Sequence, residues 1–131
     1  SPIGEISSFA AQYADVLHKT GGLPTVVCDR DHVIAVSGEP KKELLERRVS
    51  HSLEDAMEAR KHIVMQDKQD PEIRPVEGVD RHAVVCAPII SAGDVCGSVM
   101  FVSSDEEVRP SDAQVKLIQA AASFLGKQME Q

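Results

Sequence analysis

The fold of this chain is decided by residues 82–103, HAVVCAPIISAGDVCGSVMFVS. Two runs rich in β-branched residues, HAVVCAPII and VCGSVMFVS, are separated only by the four residues SAGD. β-Branched side chains favour extended backbone, and a short linker that contains Gly and Asp is typical of a β-hairpin. The stretch therefore predicts two antiparallel strands at the centre of a sheet.

A second hairpin is predicted upstream, in VVCDRDHVIAVSG, residues 26–38. The stretch gathers a cysteine, two aspartates, an arginine and a histidine, and this density of reactive side chains resembles a catalytic cluster. However, the strand-forming runs LPTVVCD and HVIAVS leave only Arg30 and Asp31 between them, and Asp is typical of tight turns. We therefore interpret residues 29–32 as the solvent-exposed tip of a hairpin rather than as a site.

The spacing of apolar residues predicts four helices around these hairpins. The first covers residues 2–22, two short helices lie between residues 40 and 63, and a long helix closes the chain. Either Ser50 or Ser52 is expected to cap the second short helix, and residues 111–114 fit a capping box for the last one.

One architecture buries all the apolar stripes of these helices and strands at once. It has a central antiparallel sheet, the N- and C-terminal helices on one face, and the short helices plus a polar loop on the other. That loop, residues 66–81, is interrupted by prolines and carries one edge strand at its margin. The predicted fold class is α+β, in three layers, with a single domain over residues 1–131.

Composition excludes several classes of partner. The chain has 131 residues and a net charge of −7, without a dense run of Lys and Arg, so direct nucleic-acid binding is not predicted. There is no apolar run of membrane-spanning length and no secretory leader, from which we expect no membrane contact and a cytoplasmic protein. The first residue is Ser1 rather than Met, which we interpret as a sign of a longer parent protein.

The motifs of common catalytic and cofactor sites are missing from the sequence. The five histidines have no metal-ligand spacing, and neither a P-loop nor a GxGxxG motif occurs, so no metal, cofactor or catalytic residue is predicted. Cys28, Cys86 and Cys96 are interpreted as buried, reduced thiols. Cys86 and Cys96 are the strongest nucleophile candidates, but the predicted register, with residue 91 opposite residue 96, separates them by roughly 17 Å along the strands.

The polar loop is the more informative feature, because long loops within compact domains are often binding loops. Arg74 lies between Ile73 and Pro75, where its guanidinium is predicted to reach a carboxylate or phosphate group of a ligand. Ser37 and Ser50 are predicted to add hydroxyl contacts at the edge of the pocket. The alternatives are a solvated arginine and, for the serines, helix capping.

Several stretches resemble a known family when they are taken in order. CDRDHVIAVSG (28–38), followed by a short helix, and APIISAGDVCGSVMFVS (87–103), followed by a long one, resemble the paired hairpins of GAF domains. PIGEISSFAAQYADVL (2–17) and AAASFLGKQMEQ (120–131) strengthen a resemblance to regulatory GAF domains of AbrB-type sporulation transcription factors. The resemblance implies a GAF fold, a DNA-binding domain upstream of this fragment, and a non-enzymatic domain that senses a small molecule.

The resemblance also implies that the terminal helices pair across subunits, giving a dimer, with a tetramer possible for the full-length protein. The residues assigned to this interface lie on the apolar stripes of the two helices: Ile6, Phe9, Tyr13, Leu117, Ile118, Ala121 and Leu125. The alternative is that these stripes only cover the sheet of one monomer.

The ligand implied by the resemblance remains unidentified. A bilin or haem is not expected because aromatic residues make up only 3% of the chain, and the NKFDE signature of cyclic-nucleotide GAF domains is missing. Two alternatives stay open. One is a domain that serves only for assembly, and the other is a GAF-type methionine sulfoxide reductase that uses Cys86 and Cys96.

Overall fold

The computed structural model describes the backbone of residues 2–130 and the side chains of residues 7–130. Its elements, in chain order, are α1 (Pro2–Gly21), β1 (Thr25–Asp29), β2 (Val33–Ser37), α2 (Lys41–Leu44), α3 (His51–Glu58), β3 (Ile63–Val64), β4 (His82–Ser91), β5 (Asp94–Ser103) and α4 (Asp112–Met129). The strands form one antiparallel sheet in the order β2-β1-β5-β4-β3. No helix within the described residues has the length and apolar character needed to cross a membrane.

The β4–β5 hairpin forms the centre of the sheet, as the sequence predicts. Its strands extend further into the linker than expected, because Ser91 pairs with Asp94 across a turn of only Ala92 and Gly93. Both turn residues have positive φ, 50° and 85°, as a tight two-residue hairpin requires. The predicted pairing of residue 91 with residue 96 is therefore wrong.

The upstream hairpin confirms the interpretation of residues 29–32 as a turn. The Asp29 carboxylate accepts hydrogen bonds from the backbone N–H groups of Asp31 and His32, at 2.8 and 2.7 Å. The backbone of Asp29 also donates to the carbonyl of His32 at 3.0 Å. The polar residues of this stretch thus build the turn itself.

Helix capping follows the sequence in two of the helices. Ser50 caps α3, its hydroxyl accepting from the N–H of Leu53, so that Ser52 lies within the helix and the capping alternative at Ser52 is wrong. Ser111 and Gln114 form the reciprocal capping box predicted for α4.

The two faces of the sheet carry the two predicted layers. α1 and α4 pack on one face, where Ala14, Leu17 and Phe101 are buried in the same apolar cluster. α2, α3 and the loop cover the other face, where the loop residues Ile73 and Val76 insert into a second cluster. The three-layer α+β arrangement is confirmed.

Candidate functional site

A groove of about 680 Å³ lies between α3, the edge strand β3 and the polar loop. We call it the α3 groove. Its lining residues come from these three segments: Ser52, Asp55, Ala56, Ala59, Lys61, His62, Ile63, Val64, Gln66, Asp70, Pro71, Glu72 and Ile73. The groove therefore lies at the side of the sheet where the sequence predicts a pocket.

The walls of the α3 groove are charged and its floor is apolar. Ala56 and Ile73 are buried and supply apolar surface. Asp55, Asp70 and Glu72 place three carboxyl groups along the groove. The carboxylate of Asp70 accepts the N–H groups of residues 66 and 67, and these hydrogen bonds lower its pKa from the ordinary value.

Arg74 does not line the groove, although its neighbours Glu72 and Ile73 do. Its guanidinium is held within the loop: Nε donates to a carboxylate oxygen of Glu72 at 3.0 Å, and Nη1 donates to the carbonyl of Val79 at 2.8 Å. Nη2 also lies 3.8 Å from a carboxylate oxygen of Asp80. In this structure Arg74 links the middle of the loop to its C-terminal end, and a direct role in ligand binding stays a prediction.

Ser50 meets Arg74 through the backbone of Arg74. The fully buried Ser50 hydroxyl donates to the Arg74 carbonyl at 2.6 Å, while the Ser52 hydroxyl accepts from the Arg74 N–H at 3.1 Å. Ser37 lies elsewhere, at the end of β2 opposite Thr25, on the other edge of the sheet. The three predicted ligand residues therefore do not converge on one pocket.

The wall that α3 contributes is the part of the groove that sequence reasoning missed. Ser52, Asp55, Ala56 and Ala59 share one face of the helix, at three- and four-residue spacing. In the sequence, Asp55 completes an S-x-x-D capping pattern with Ser52. The sequence therefore indicates a capping role for Asp55 and not a position in the groove wall. The helical spacing of small and polar residues is the signal that indicates the groove wall.

The three cysteines are free and lie on two faces of the sheet. Cys28 and Cys86 are buried in the cluster beneath α3, whereas Cys96 packs partly buried on the helix side, 3.2 Å from the sulfur of Met129. Burial raises the pKa of all three thiols, that of Cys86 to about 11. Cys86 and Cys96 thus point to opposite faces and are not the paired, ionised thiols that the reductase alternative needs.

The surface of the terminal helices differs from the predicted interface. Ile118, Ala121 and Leu125 are at most 4% exposed and pack against the sheet of the same chain, so they offer no surface to a second copy and their assignment is corrected. Leu117 is partly buried in the same cluster. The side chain of Ile6 lies outside the described residues.

Four other apolar side chains of these helices do reach solvent: Phe9 and Tyr13 from the prediction, with Val16 and Phe124 in addition. We call them the aromatic ridge. The rings of Tyr13 and Phe124 lie 5.0 Å apart, centroid to centroid, which joins the exposed faces of α1 and α4. Phe124 was missed because it lies one position outside the inward stripe of α4.

No group of three or more His, Cys, Asp or Glu side chains has the arrangement of a metal site within the part of the chain that the structure describes.

Comparison with known sequences gives a family for the chain. The family described as "Stage V sporulation protein T C-terminal, transcription factor" matches residues 5–130. The whole chain is also 37% identical to stage V sporulation protein T of Bacillus subtilis (strain 168), of which it covers 72%. Both findings agree with the resemblance drawn from the hairpins and terminal helices.

Comparison with solved structures shows the GAF fold. The GAF domain of an Acinetobacter phosphoenolpyruvate-protein phosphotransferase aligns with a TM-score of 0.74 at 9% identity, covering 95% of this chain and 81% of that one. The cofactor-binding GAF domain of the nutrient sensor CodY from Clostridium difficile gives 0.64 at 12%, covering 95% and 90%. A free methionine-R-sulfoxide reductase from Neisseria meningitidis gives 0.68 at 19%, covering 95% and 78%. At these identities the likeness concerns the fold alone.

Proposed function

Because the chain belongs to the stage V sporulation protein T C-terminal family of transcription factors, we propose that it is a non-enzymatic regulatory domain. It binds a small-molecule effector in the α3 groove and self-associates through its terminal helices. Both events control DNA binding by a separate domain upstream in the parent protein, which is expected to be of the AbrB type.

The single observation that carries the ligand proposal is the set of uncommitted polar groups in the groove. Within residues 7–130, the solvent-exposed side chains of Asp55, Lys61 and His62 form no hydrogen bond or ion pair with the rest of the chain, and all three line the groove beside the apolar floor. A few convergent polar groups over apolar surface are typical of small-molecule sites. The polar contacts of Ser50 and Arg74, by contrast, hold the loop in place.

The charge of the groove indicates what kind of molecule it binds. Three carboxyl groups, on Asp55, Asp70 and Glu72, and one lysine, Lys61, line the groove, and the carboxylate of Glu72 is paired with Arg74. The carboxylates of Asp55 and Asp70 still outnumber Lys61, so the groove disfavours phosphate and favours a molecule with an amino group next to an apolar part. The screen below therefore contains both amine-bearing metabolites and nucleotides.

The aromatic ridge supports self-association. Phe9, Val16 and Phe124 expose 41, 60 and 44% of their surface on adjacent helices, and exposed aromatic clusters of this kind are typical of protein interfaces. A second copy of the chain, related by a two-fold axis, would cover the ridge with the same residues.

The experiment that tests the proposal is a thermal-melt screen of the 131-residue chain against amine-bearing metabolites and nucleotides. A ligand at 100 times its dissociation constant stabilises by about 2.7 kcal/mol, which shifts the melting temperature by several degrees. The hit should be lost in Asp55→Asn, which removes a groove charge. It should persist in Glu58→Gln, a matched change on the same helix outside the groove.

Three outcomes would count against the proposal. A hit that survives Asp55→Asn places the ligand elsewhere. No hit across a broad library favours the alternative of a domain kept only for assembly. A hit from nucleotides alone would contradict the assignment of the groove to amines.

A further inference from the structure

The tip of the β4–β5 hairpin is held from both faces of the sheet. On the α3 side, Arg60 is the second residue after the helix, and its Nη2 donates to the carbonyl of Gly93 at 2.6 Å. On the other side, the carboxylate of Glu130, just after α4, accepts from the N–H of Ala92 at 3.0 Å. One two-residue turn thus joins the ends of the two helical layers.

Arg60 has a backbone conformation that favours glycine, so we attribute the presence of arginine at this position to the contact that its side chain makes. α3 ends in a Schellman motif, in which the N–H groups of Arg60 and Lys61 bond to the carbonyls of Met57 and Ala56. Arg60 occupies the left-handed position of this motif, with φ 55°, where glycine is preferred. A non-glycine residue strains the backbone at this position, and the hydrogen bond from Arg60 to Gly93 offsets that strain.

The contact with α4 is equally close. A Cβ atom built on Gly126 would lie 2.2 Å from the carbonyl oxygen of Ile90, so only glycine lets α4 approach the end of β4 this closely. Gly126 precedes Glu130 by one helical turn. The last turn of α4 is therefore anchored to the hairpin at two successive points.

We propose that this turn is a mechanical link that couples the end of α3 to the end of α4. Residues 59 and 61, which flank Arg60, both line the α3 groove, and α4 carries Phe124 of the aromatic ridge. The link thus connects the groove to the surface for self-association. Its signalling role rests on the proposed function, whereas the coupling of the two helix ends does not.

The coupling is tested by amide hydrogen exchange, followed by NMR, in the ligand-free chain. Arg60→Gly removes the guanidinium and keeps the Schellman motif, since glycine suits its left-handed position. We expect the Ala92 amide, whose partner Glu130 lies on the opposite face, to exchange about fivefold faster, the factor of one ordinary hydrogen bond. By reciprocity, Glu130→Ala should speed exchange of the Lys61 amide by a similar factor.

Each of the two variants has a matched control on the same helical layer. Glu58→Gln on α3 and Ser123→Ala on α4 are exposed and outside these contacts, and should leave both amides at the wild-type rate. The link is overturned when Arg60→Gly changes only the amides of residues 60, 61 and 93 while Ala92 keeps its rate. Coupling seen without any ligand hit in the screen would retain the link and reject the sensing role.

A hit from the screen adds a second readout. The ligand should slow exchange in the last turn of α4 in the wild-type chain, and this remote effect should vanish in Arg60→Gly although the ligand still binds. A remote effect that persists in Arg60→Gly would show that the signal bypasses the hairpin tip.

Discussion

The two layers that cover the sheet are held in different ways. α1 and α4, of 20 and 18 residues, cover their face with regular apolar stripes. The opposite layer has helices of only four and eight residues, and its loop is fixed by two inserted side chains and by hydrogen bonds at Ser50 and Arg74. Apolar packing along two long helices therefore stabilises the helical layer, whereas the irregular loop layer leaves room for a groove.

The largest difference between the two layers is expected for a matched pair of truncations, one in each layer. Ile118→Ala removes a fully buried side chain between α4 and the sheet, and should lower the free energy of unfolding by about 4 kcal/mol. Ile73→Ala removes the same atoms from the loop, where the backbone can collapse into the space, and should cost only about 2 kcal/mol. Urea unfolding of both variants measures the difference. Equal losses would show that the loop is as rigid as the helical layer.

The helix caps of the two layers are expected to differ by a smaller free energy of unfolding. Ser50→Ala removes a buried hydroxyl that caps α3 and also bonds to the Arg74 carbonyl, so we expect a loss of about 2 kcal/mol. Ser111→Ala removes the exposed cap of α4 and should cost about 1 kcal/mol. Denaturant titration of the two variants measures both losses in the free energy of unfolding. A larger loss at Ser111 would contradict the view that polar contacts matter most in the loop layer.

These residues also show how far sequence reasoning reaches. The hairpins, the cap at residue 111, the choice of Ser50 or Ser52 for α3, and the two layers follow from local patterns, because turn chemistry and apolar spacing act over a few residues. The groove wall at Asp55 and the brace at Arg74 depend on how a loop returns to a helix some 20 residues earlier. No local pattern specifies such a contact, since irregular loops have no period from which to infer their path.

The same limit explains the interface residues. A helical stripe predicts which face is apolar, and it does so correctly for Ile118 and Leu125, which are buried. It does not state whether the face meets the sheet of the same chain or a second copy. Phe124 is exposed beside Tyr13 only because α1 and α4 lie next to each other, and this arrangement is a property of the tertiary fold.

The aromatic ridge gives a prediction that concerns association rather than folding. Phe124→Ser should weaken self-association of the chain at least about tenfold, because exposed aromatic residues dominate such interfaces. It should lower the free energy of unfolding of the monomer by only about 1 kcal/mol, because the half-exposed ring loses its contact with Tyr13. Sedimentation equilibrium compares it with Ile90→Ser, a control with similar exposure, 39% against 44%, whose side chain belongs to β4 and not to a terminal helix. An unchanged dimer in Phe124→Ser, or a monomeric wild-type chain, would reject the ridge as the interface.

The effect expected at the buried thiols is absent near neutral pH and appears only at alkaline pH. Burial raises the pKa of Cys86 from 9.0 to about 11, so below pH 9 the thiol is protonated in both folded and unfolded chains. Between pH 9 and 11 the unfolded chain loses this proton first, and the free energy of unfolding falls as pH rises. Urea unfolding at several pH values, under reducing conditions, should show a flatter decline for Cys86→Ala than for the half-buried control Cys96→Ala. An equally flat decline in the control would mean that the sheet face beneath α3 protects its thiols no better than the face beneath the terminal helices.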